Sequence, residues 1–580
     1  MTHRDGVGRR GLLAGIAAMG VAPAALRAAP PDTAGAKVSA ELIAACDRFA
    51  GLDFTTAERQ QMLGTVDEQL DRLRALRAVR LENELAPAEI FDVRLPGWRP
   101  RLPLAAAPPT ATPPLPRDAE AIAFAPAWQQ ARWIADGHLT SRALVDLYLG
   151  RIAARAARLE CIVTLFADAA RAEADLCDRE QTAGRLRGPL HGLPFGLKDL
   201  FDTAGTRTTW GAEPYRDRIG PRDATVVTRL RAAGAILIAK TSCGALAYGD
   251  IWFGGRTRNP WNIAEGSSGS SAGSAAMVAD GLCAFAIGTE TMGSIVAPSA
   301  RCGTVGLRPT FGRVARTGAM ALCWSLDKVG VLGRAAADGA LVLGAINGAD
   351  GHDPAAIDIP LAPPPAIDPR AIRLGYRLEW FAAGLPTDRA ALVAARAAGF
   401  TLVEIVMPKT DPNLLAGIVL IESAAAFEEL TLDGADDGLA WQADAAWPNS
   451  WRAARFEPAI GYVQAQRLRR RLMIEFADTI AGVDAILHPT DAPGMLGIGN
   501  HCGYPALVLP AGLLPQPTRT GFADHLDPTG VPATALHRVP FAITLTGHLF
   551  DEARLVAIGG HLEQALAHAG QWPPKAWPAL

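Results

Sequence analysis

Apolar residues recur along most of the chain in two alternating patterns, helical spacing and short continuous runs. The helical stretches are 141–157 and 169–183, and the strand-like stretches are 161–166, 371–376 and 399–406. Alternation of helices with short apolar strands is typical of a sheet that carries helices on both faces. We therefore predict an α/β domain over 119–580, with a mixed β-sheet core covered by helices on both faces.

A helical arm and a Pro-rich connector are predicted ahead of this domain, over residues 30–118. Thr55 is followed three residues later by Glu58, which is the form of a capping box, and apolar residues then follow at helical spacing. The stretch 96–116 is rich in Pro, which favours an extended connector over a packed element. We therefore expect one long amphipathic helix and then irregular chain before the sheet begins.

The first 29 residues have the three regions of an export signal in the expected order. Arg9 and Arg10 precede an apolar run over 12–25, which is too short to span a bilayer and is followed by small residues. The paired arginines resemble a twin-arginine signal peptide. We expect residues 1–29 to be removed, which leaves a periplasmic or secreted protein without an integral membrane segment. A disordered Ala-rich leader is the alternative.

Composition narrows the range of functions. Hydrophobic residues make up 49% of the chain and charged residues 20%, values typical of a globular enzyme. The 56 basic and 59 acidic residues give a net charge of −3, which offers no electrostatic basis for binding nucleic acid. The eleven histidines show no ligand spacing, and the eight cysteines include no C-x-x-C pair. We therefore expect no metal, no cofactor and no nucleic-acid partner, and we expect the thiols to be buried and free.

Two turns rich in Gly and hydroxyl residues are the candidate catalytic region. Residues 266–274 read GSSGSSAGS, which alone is typical of a flexible linker, but the apolar run 275–288 that follows indicates a loop that enters the core. The second turn, GTETMGSI over 288–295, contains Ser294. Consecutive backbone N–H groups in such a turn can converge on one anionic oxygen, as acyl transfer requires. The pairing of the two turns therefore points to a serine nucleophile more strongly than either turn does.

Lys198 is the candidate base for such a nucleophile. A serine hydroxyl is a weak nucleophile at neutral pH and needs a neighbouring base, but no histidine lies near the two turns in sequence. Desolvation disfavours the charged form of a lysine and lowers its pKa. Lys198 has four apolar neighbours in sequence: Phe195, Leu197, Leu200 and Phe201. A lysine at a strand edge that reaches solvent is the alternative interpretation.

The order of five motifs resembles the amidase signature family. The motifs are GLPFGLKD (192–199), NPWN (259–262), GSSAGSAA (269–276), GTETMGSI (288–295) and CGTVGLRPTFGRV (302–314). The resemblance extends over about 119–568 and leaves the N-terminal arm outside it. It implies an amidase-signature-like mixed β-sheet core and an amidohydrolase that acts on linear amides, with a small-molecule amide as substrate.

The resemblance also implies a Ser-cisSer-Lys triad. Lys198 is the implied general base, and Ser270, preceded by a cis peptide, is the implied proton relay. Ser294 is the implied nucleophile, which forms an acyl-enzyme intermediate. The implied oxyanion hole consists of the backbone N–H groups of Thr291, Met292, Gly293 and Ser294. Esterase activity of the same site is an alternative, and neither the substrate nor the oligomeric state follows from the sequence.

Three positions depart from the family pattern. Glu290, Met292 and Val296 stand where the family usually has aspartate, glycine and arginine. Met292 can still donate its N–H if the turn does not require a positive φ there. The missing arginine puts in doubt any ion pair that the family builds behind its nucleophile. A non-catalytic exported binding protein that retains the fold is therefore a further alternative.

Two other hydrolase functions compete with this interpretation. Residues 269–273 match G-x-S-x-G, which would make Ser271 the nucleophile of an α/β-hydrolase, but that motif needs a preceding strand and 259–267 is a poor one. The motifs also resemble the glutaminase-type subunit of a tRNA amidotransferase, against which export and the charge of −3 argue. The Trp-containing stretch 433–451 is expected to form a cap or an aromatic pocket wall.

Overall fold

The computed structural model describes residues 38–79, 81–108, 110–519, 535–566, 571–575 and 577. The predicted export signal, residues 1–29, lies outside the described residues. The chain divides into two compact units between Leu81 and Glu82. The domain boundary predicted at 119 stays a prediction, and each unit is described by itself below.

The first unit contains two helices, α1 (Ala40–Ala50) and α2 (Thr56–Arg77). The predicted capping box is confirmed, because the Thr55 N–H donates to Glu58 Oε2 at 2.7 Å and the Glu58 N–H donates to Thr55 Oγ1 at 3.3 Å. These two bonds satisfy amide groups that have no partner within the helix. The predicted long helix is therefore present, and α1 is an element that the apolar pattern did not indicate.

The second unit is built on a large β-sheet and two short ribbons. The sheet strands are β1 (Ile162–Leu165), β2 (Pro194–Lys198), β3 (Ile236–Thr241), β8 (Phe285–Glu290), β9 (Val305–Arg308), β10 (Lys328–Gly333), β11 (Arg373–Tyr376), β12 (Thr401–Glu404), β13 (Ala485–Pro489), β14 (Ala506–Gln516) and β15 (His537–Gly547). The ribbon strands are β4 (Ile251–Trp252), β5 (Gly255–Arg256), β6 (Arg258–Asn259) and β7 (Asn262–Gly266).

The sheet is mixed. Its order is β1-β3-β2-β8-β10-β9-β14-β15-β13-β11-β12. Strand β2 runs parallel to β3 and β8, whereas β10 runs antiparallel to β8 and β9. All residues of β2 and β10 are buried, as is typical of interior strands that read as continuous apolar runs. The predicted α/β fold with a mixed central sheet is confirmed.

Helices flank this sheet. They are α3 (Ala119–Ala123), α4 (Ala127–Ala135), α5 (Ser141–Leu159), α6 (Ala167–Thr182), α7 (Thr225–Ala232), α8 (Ala272–Ala279), α9 (Val296–Cys302), α10 (Ala336–Ile346), α11 (Leu378–Ala383), α12 (Pro386–Ala397), α13 (Ala416–Ala426), α14 (Glu428–Leu432), α15 (Trp447–Ala454), α16 (Ala459–Ile480), α17 (Met495–His501) and α18 (Glu552–Ala565). Five short 3-10 turns lie among the described residues: Glu213–Tyr215, Ala245–Ala247, Pro369–Ala371, Pro412–Leu415 and Ala435–Gly438.

The Pro-rich stretch is irregular, as predicted, but it is not an unpacked connector. The Trp98 ring lies against Phe550, with centroids 5.6 Å apart, and Arg101 forms an ion pair with Asp484 at 2.8 Å. The expectation of an unpacked segment was wrong because its few aromatic and charged side chains find partners on the α/β unit.

Seven of the eight cysteines are buried, and all are free; Cys46, on α1, is the exposed exception.

Across the described parts of the chain, none of the helices is both long enough and apolar enough to cross a membrane.

Candidate active site

Lys198 is the last residue of β2 and has no exposed surface. Its Nζ donates to Ser270 Oγ at 2.7 Å and to Thr289 Oγ1 at 2.8 Å. Gly196, two residues earlier, permits the close approach of β3, since a Cβ there would lie 2.9 Å from Thr241 Cγ2. Burial lowers the pKa of Lys198 to about 8. The alternative of a solvent-reaching lysine is therefore wrong.

The Gly/Ser loop that carries Ser270 passes very close to neighbouring backbone. A Cβ on Gly269 would lie 1.9 Å from the Gly249 carbonyl oxygen, so only glycine fits. The Gly269–Ser270 peptide bond is cis, and Ser270 is 1% exposed. The loop then leads directly into the buried helix α8. The flexible-linker interpretation fails because the small residues allow tight packing.

Ser271 has a structural position. Its Oγ donates to the Thr289 carbonyl oxygen at 3.1 Å and accepts the Thr289 N–H at 3.2 Å, and the residue has no exposed surface. A strand, β7, does precede it, contrary to the expectation from the sequence, but β7 pairs with β6 in a ribbon outside the central sheet. Ser271 ties the loop to β8 and is shielded from solvent, which argues against it as a nucleophile.

The turn after β8 carries Ser294. Gly293 has φ +97°, whereas Met292 is not among the residues with positive φ. A non-glycine residue is therefore compatible with position 292, because the positive φ of the turn falls on the following glycine. The Ser271 N–H donates to the Ser294 carbonyl oxygen at 3.1 Å, which holds the two motif turns together. Ser294 is 9% exposed.

A buried ion pair lies behind this turn despite the missing arginine at position 296. Glu290 Oε1 accepts from Arg308 Nη1 at 2.7 Å and from Asn500 Nδ2 at 2.9 Å. Glu290 Oε2 accepts the backbone N–H groups of Ile295 and Val296, at 2.8 and 2.9 Å. Burial by itself would raise the pKa of Glu290, but Arg308 and these N–H donors lower it to about 2. Glu290 is thus a charged cap for α9 and fixes the far side of the turn.

Asp327, the residue just before β10, supports the turn. Thr291 Oγ1 donates to Asp327 Oδ1 at 2.5 Å, and the N–H groups of Leu322 and Cys323 donate to Oδ2. This link was not predicted from the sequence, and neither were Thr289 and the neighbouring Lys328 as parts of the site. Lys328 begins an apolar strand, which is the signal that identified Lys198, so the sequence did contain a sign of it.

A cavity of about 710 Å³ opens beside these residues. Thr289, Thr291, Asp327 and Lys328 line it, whereas Ser270 and Ser294 are not among its lining residues. The cavity therefore adjoins the candidate turn through Thr291. Its apolar lining includes Leu85, Leu200, Met320, Leu322 and Trp324, and its charged lining includes Glu84, Arg222, Arg316 and Asp353.

One wall of the cavity comes from the segment 82–86, which is fastened by Asn83. Asn83 Nδ2 donates to the carbonyl oxygens of Ala321 and Ala426, and Asn83 Oδ1 accepts the Ala321 N–H at 2.8 Å. The Trp324 indole N–H donates to the Asn83 carbonyl oxygen at 3.3 Å. This segment precedes the stretch that resembles the amidase signature family.

The Trp-containing stretch 433–451 does not line this cavity. Trp447 and Trp451 stack with their ring centroids 5.2 Å apart, and both are buried. Their indole N–H groups donate to the Leu246 carbonyl oxygen and to Ser423 Oγ, each at 3.0 Å. The aromatic pocket wall expected from the sequence was wrong for this cavity, because the rings pack into the core instead.

One three-residue cluster among the described residues has metal-binding side chains. Cys177 Sγ, a Glu180 carboxylate oxygen and a His191 ring nitrogen lie within 4.8 Å of one another. His191 Nδ1 accepts the Arg187 N–H, so Nε2 donates to the Cys177 carbonyl oxygen at 3.0 Å. Glu180 forms an ion pair with Arg187 at 2.6 Å. The donor atoms of the histidine and the glutamate are thus already engaged within the protein.

Comparisons with known proteins agree with this architecture. The family model described as Amidase matches residues 143–556. A subunit of glutamyl-tRNA(Gln) amidotransferase from Roseiflexus sp. (strain RS-1) is 34% identical over 456 residues, which are 73% of this chain and 92% of that relative. The protein of the same name from Synechococcus sp. (strain CC9605) is 35% identical over 475 residues, which are 76% of this chain and 95% of that relative.

A solved structure gives the same result. The native peptide amidase from Stenotrophomonas maltophilia is 29% identical, with a TM-score of 0.64, over 77% of this chain and 98% of that chain. The matched family model covers the two motif turns, the strand that ends in Lys198 and all eleven strands of the central sheet. The chain belongs to the amidase signature family of enzymes.

Proposed function

We propose that this enzyme hydrolyses the C–N bond of a small-molecule amide through an acyl-enzyme intermediate. Ser294 is the nucleophile, Ser270 the proton relay and Lys198 the general base. The observation that carries the proposal is the 2.7 Å hydrogen bond from Lys198 Nζ to Ser270 Oγ at a fully buried lysine. A lysine with its pKa lowered to about 8 is partly neutral near physiological pH and can accept a proton.

The proposed first half-reaction begins with attack of Ser294 Oγ on the amide carbonyl carbon. The hydroxyl proton passes to Ser270, whose own proton passes to neutral Lys198. The carbonyl oxygen becomes an oxyanion and accepts N–H groups from the turn 291–294. Lys198 then returns a proton through Ser270 to the amide nitrogen, the C–N bond breaks and the amine leaves.

Water completes the second half-reaction along the same path. It attacks the acyl ester while its proton passes through Ser270 to Lys198, and that proton returns to Ser294 Oγ as the carboxylic acid is released. Exposure supports this order, since Ser294 is 9% exposed, Ser270 1% and Lys198 0%. The group that meets substrate is the most accessible, and the base is the most desolvated.

Covalent labelling followed by peptide mapping tests the nucleophile. Trypsin leaves Ser270, Ser271 and Ser294 on one peptide, but cleavage after Glu265 and Glu290 separates Ser294 from the other two. A fluorophosphonate probe should label the peptide that begins at Thr291, and Ser294→Ala should abolish both labelling and amide turnover. Ser271→Ala is the matched control and should retain labelling; a label on Ser270 or Ser271 would contradict the proposal.

A subunit role in a tRNA amidotransferase is the second candidate, because the curated relatives named above bear that name. The net charge of −3 gives no support for contact with tRNA. Hydrolysis of amides by the purified chain alone favours the first candidate. Activity that appears only with added amidotransferase subunits and Glu-tRNA(Gln) would favour the second.

We also propose that the protein is exported through residues 1–29, on the sequence evidence of Arg9 and Arg10. Replacing both arginines by lysine should leave the precursor in the cytoplasm, as cell fractionation would detect. Unchanged recovery of the variant outside the cytoplasm would contradict a twin-arginine route.

A further inference from the structure

Lys328 is a buried cation beside the candidate active site. It begins β10 and lies opposite Glu290 of β8 in the antiparallel register. The residue is 2% exposed and lines the cavity. Its ammonium donates to the Leu326 carbonyl oxygen, and among the described residues it forms no ion pair with a carboxylate. An ammonium has three donors, so this partner leaves hydrogen-bonding capacity unused.

The carboxylates nearest to Lys328 are Asp327 in sequence and Glu290 in strand register, and both already accept hydrogen bonds from other groups. Glu290 accepts from Arg308, from Asn500 and from two backbone N–H groups. Asp327 accepts from Thr291 and from the N–H groups of Leu322 and Cys323. Neither neighbour therefore compensates the desolvation of the Lys328 ammonium by direct contact.

Apart from Glu82, which forms no ion pair among the described residues, and Asp327, whose partners are given above, the other charged groups of the cavity lining pair with one another or with nearby residues. Arg222 pairs with Glu84, Arg316 pairs with Asp353, and Asp223 pairs with Arg231. Within the described part of the chain, these pairs leave Lys328 as the cation of the cavity lining that lacks a carboxylate. Met320, Leu322 and Trp324 line the same cavity, and their apolar surface suits a short hydrocarbon chain.

We propose that Lys328 binds a carboxylate of the substrate, so that the enzyme prefers amides that carry an acidic group a short hydrocarbon chain away from the scissile bond. This inference rests on the proposed function. A carboxylate that enters the cavity would form a charge-assisted hydrogen bond with the ammonium and replace the water lost on burial. Lys328 is a substrate-binding residue in this proposal, and Lys198 remains the base.

Kinetics with matched substrates test the preference. The substrates are the monoamides of linear dicarboxylic acids with four to eight carbons, each compared with the alkanamide of the same chain length. At the best length the wild type should favour the acidic amide in kcat/KM by about 10- to 100-fold, as expected for a hydrogen bond to a charged group. Lys328→Gln, which keeps a hydrogen-bond donor without the charge, should bring the ratio close to one.

Two further variants separate this effect from general damage. Lys409→Met removes the same charge from a position that does not line the cavity, and it should leave the ratio unchanged. If Lys328→Gln does not fold, Lys328→Arg decides, because it keeps the charge and should keep a preference for acidic amides. Equal ratios in the wild type and in Lys328→Gln, or no acidic preference at any length, would overturn the proposal.

Binding without turnover distinguishes this inference from the proposed function. Calorimetry with Ser294→Ala and the linear dicarboxylates themselves should show binding that a second substitution, Lys328→Gln, weakens by about 10- to 100-fold. If Lys328-dependent binding is found but the wild type hydrolyses no amide, the proposed function is contradicted and this inference is supported. If the wild type hydrolyses neutral amides but no Lys328-dependent binding is found, the proposed function is supported and this inference is contradicted.

Discussion

Lys198 and Lys328 lie on the two strands that flank β8, yet their surroundings differ. Lys198 ends β2 and Lys328 begins β10. Burial lowers the pKa of Lys198 to about 8 and that of Lys328 to about 7. Lys198 donates to two side-chain hydroxyls, whereas Lys328 donates to one backbone carbonyl oxygen. Burial makes both amines easier to deprotonate, but only Lys198 has hydroxyls through which a proton can pass.

Lys240 on β3 adds a third environment. It is also fully buried, but it forms an ion pair with Asp199 at 2.9 Å and donates to Thr208 Oγ1 and to the Phe201 carbonyl oxygen. A buried lysine with a complete set of partners holds structure together. The three residues show that the partners of a lysine, rather than its burial, indicate its role.

Replacing the base should have the largest effect on activity. Lys198→Ala should lower kcat by about 100- to 10,000-fold with the fold retained, because general-base assistance is lost. Ser270→Ala should give a strong but incomplete loss, since a water can partly replace the relay hydroxyl. Steady-state kinetics and circular dichroism measure both. Near-normal turnover in Lys198→Ala, together with an essential histidine such as His548, the residue after β15, would show that the base is misassigned.

The other two lysines should change stability in opposite directions. Lys240→Met leaves Asp199 buried without its cation and should lower the free energy of unfolding by about 3–5 kcal/mol. Lys328→Met removes an ammonium that lacks a carboxylate partner and should raise it by about 1 kcal/mol. Urea denaturation measures both values. A loss of similar size in both variants would contradict the contrast drawn between the two sites.

Activity against a neutral amide should depend on the protonation state of Lys198. Below about pH 8 the amine is increasingly protonated, so kcat/KM should fall about tenfold per pH unit as the pH is lowered. A flat profile from pH 6 to 9 would contradict the assignment of Lys198.

An acidic amide should show a narrower pH optimum than a neutral amide. Its binding requires protonated Lys328, so kcat/KM should also fall as the pH rises well above 7. The charged groups that influence Lys328 are Arg308, Glu290, Asp327 and Arg469. Lys328→Gln should remove this second fall and leave the Lys198-dependent limb, which separates the two titrations.

The smallest effect is expected at Met292. Met292→Gly should cost about 0.5–1 kcal/mol of stability through backbone entropy and leave turnover within a few-fold, because the positive φ lies on Gly293. Gly293→Ala should be more harmful, since its φ is +97° and a Cβ would lie 3.2 Å from Leu496 Cδ2. Equal losses in the two variants would contradict this distinction.

Patterns in the sequence predicted those structural features that depend on residues close together along the chain. The capping box at Thr55, the helix and strand alternation and the entry of the Gly/Ser loop into the core all followed from spacing and composition. The surroundings of Lys328 did not, because they depend on contacts with β8 and with loops distant in sequence. The same applies to Asn83, whose partners Ala321 and Ala426 are more than two hundred residues away.

The hydrogen bonds by which Asn83 holds the segment 82–86 against Ala321 and Ala426 bear on how this protein should be produced. The family match begins at residue 143, but a wall of the cavity begins at Glu82. A truncated chain that starts at the family boundary would leave the Ala321 N–H and the Trp324 indole N–H without their Asn83 partners. Trimming a protein to its homologous region, a common step in recombinant expression, would here remove part of the cavity lining along with the N-terminal residues outside the family match.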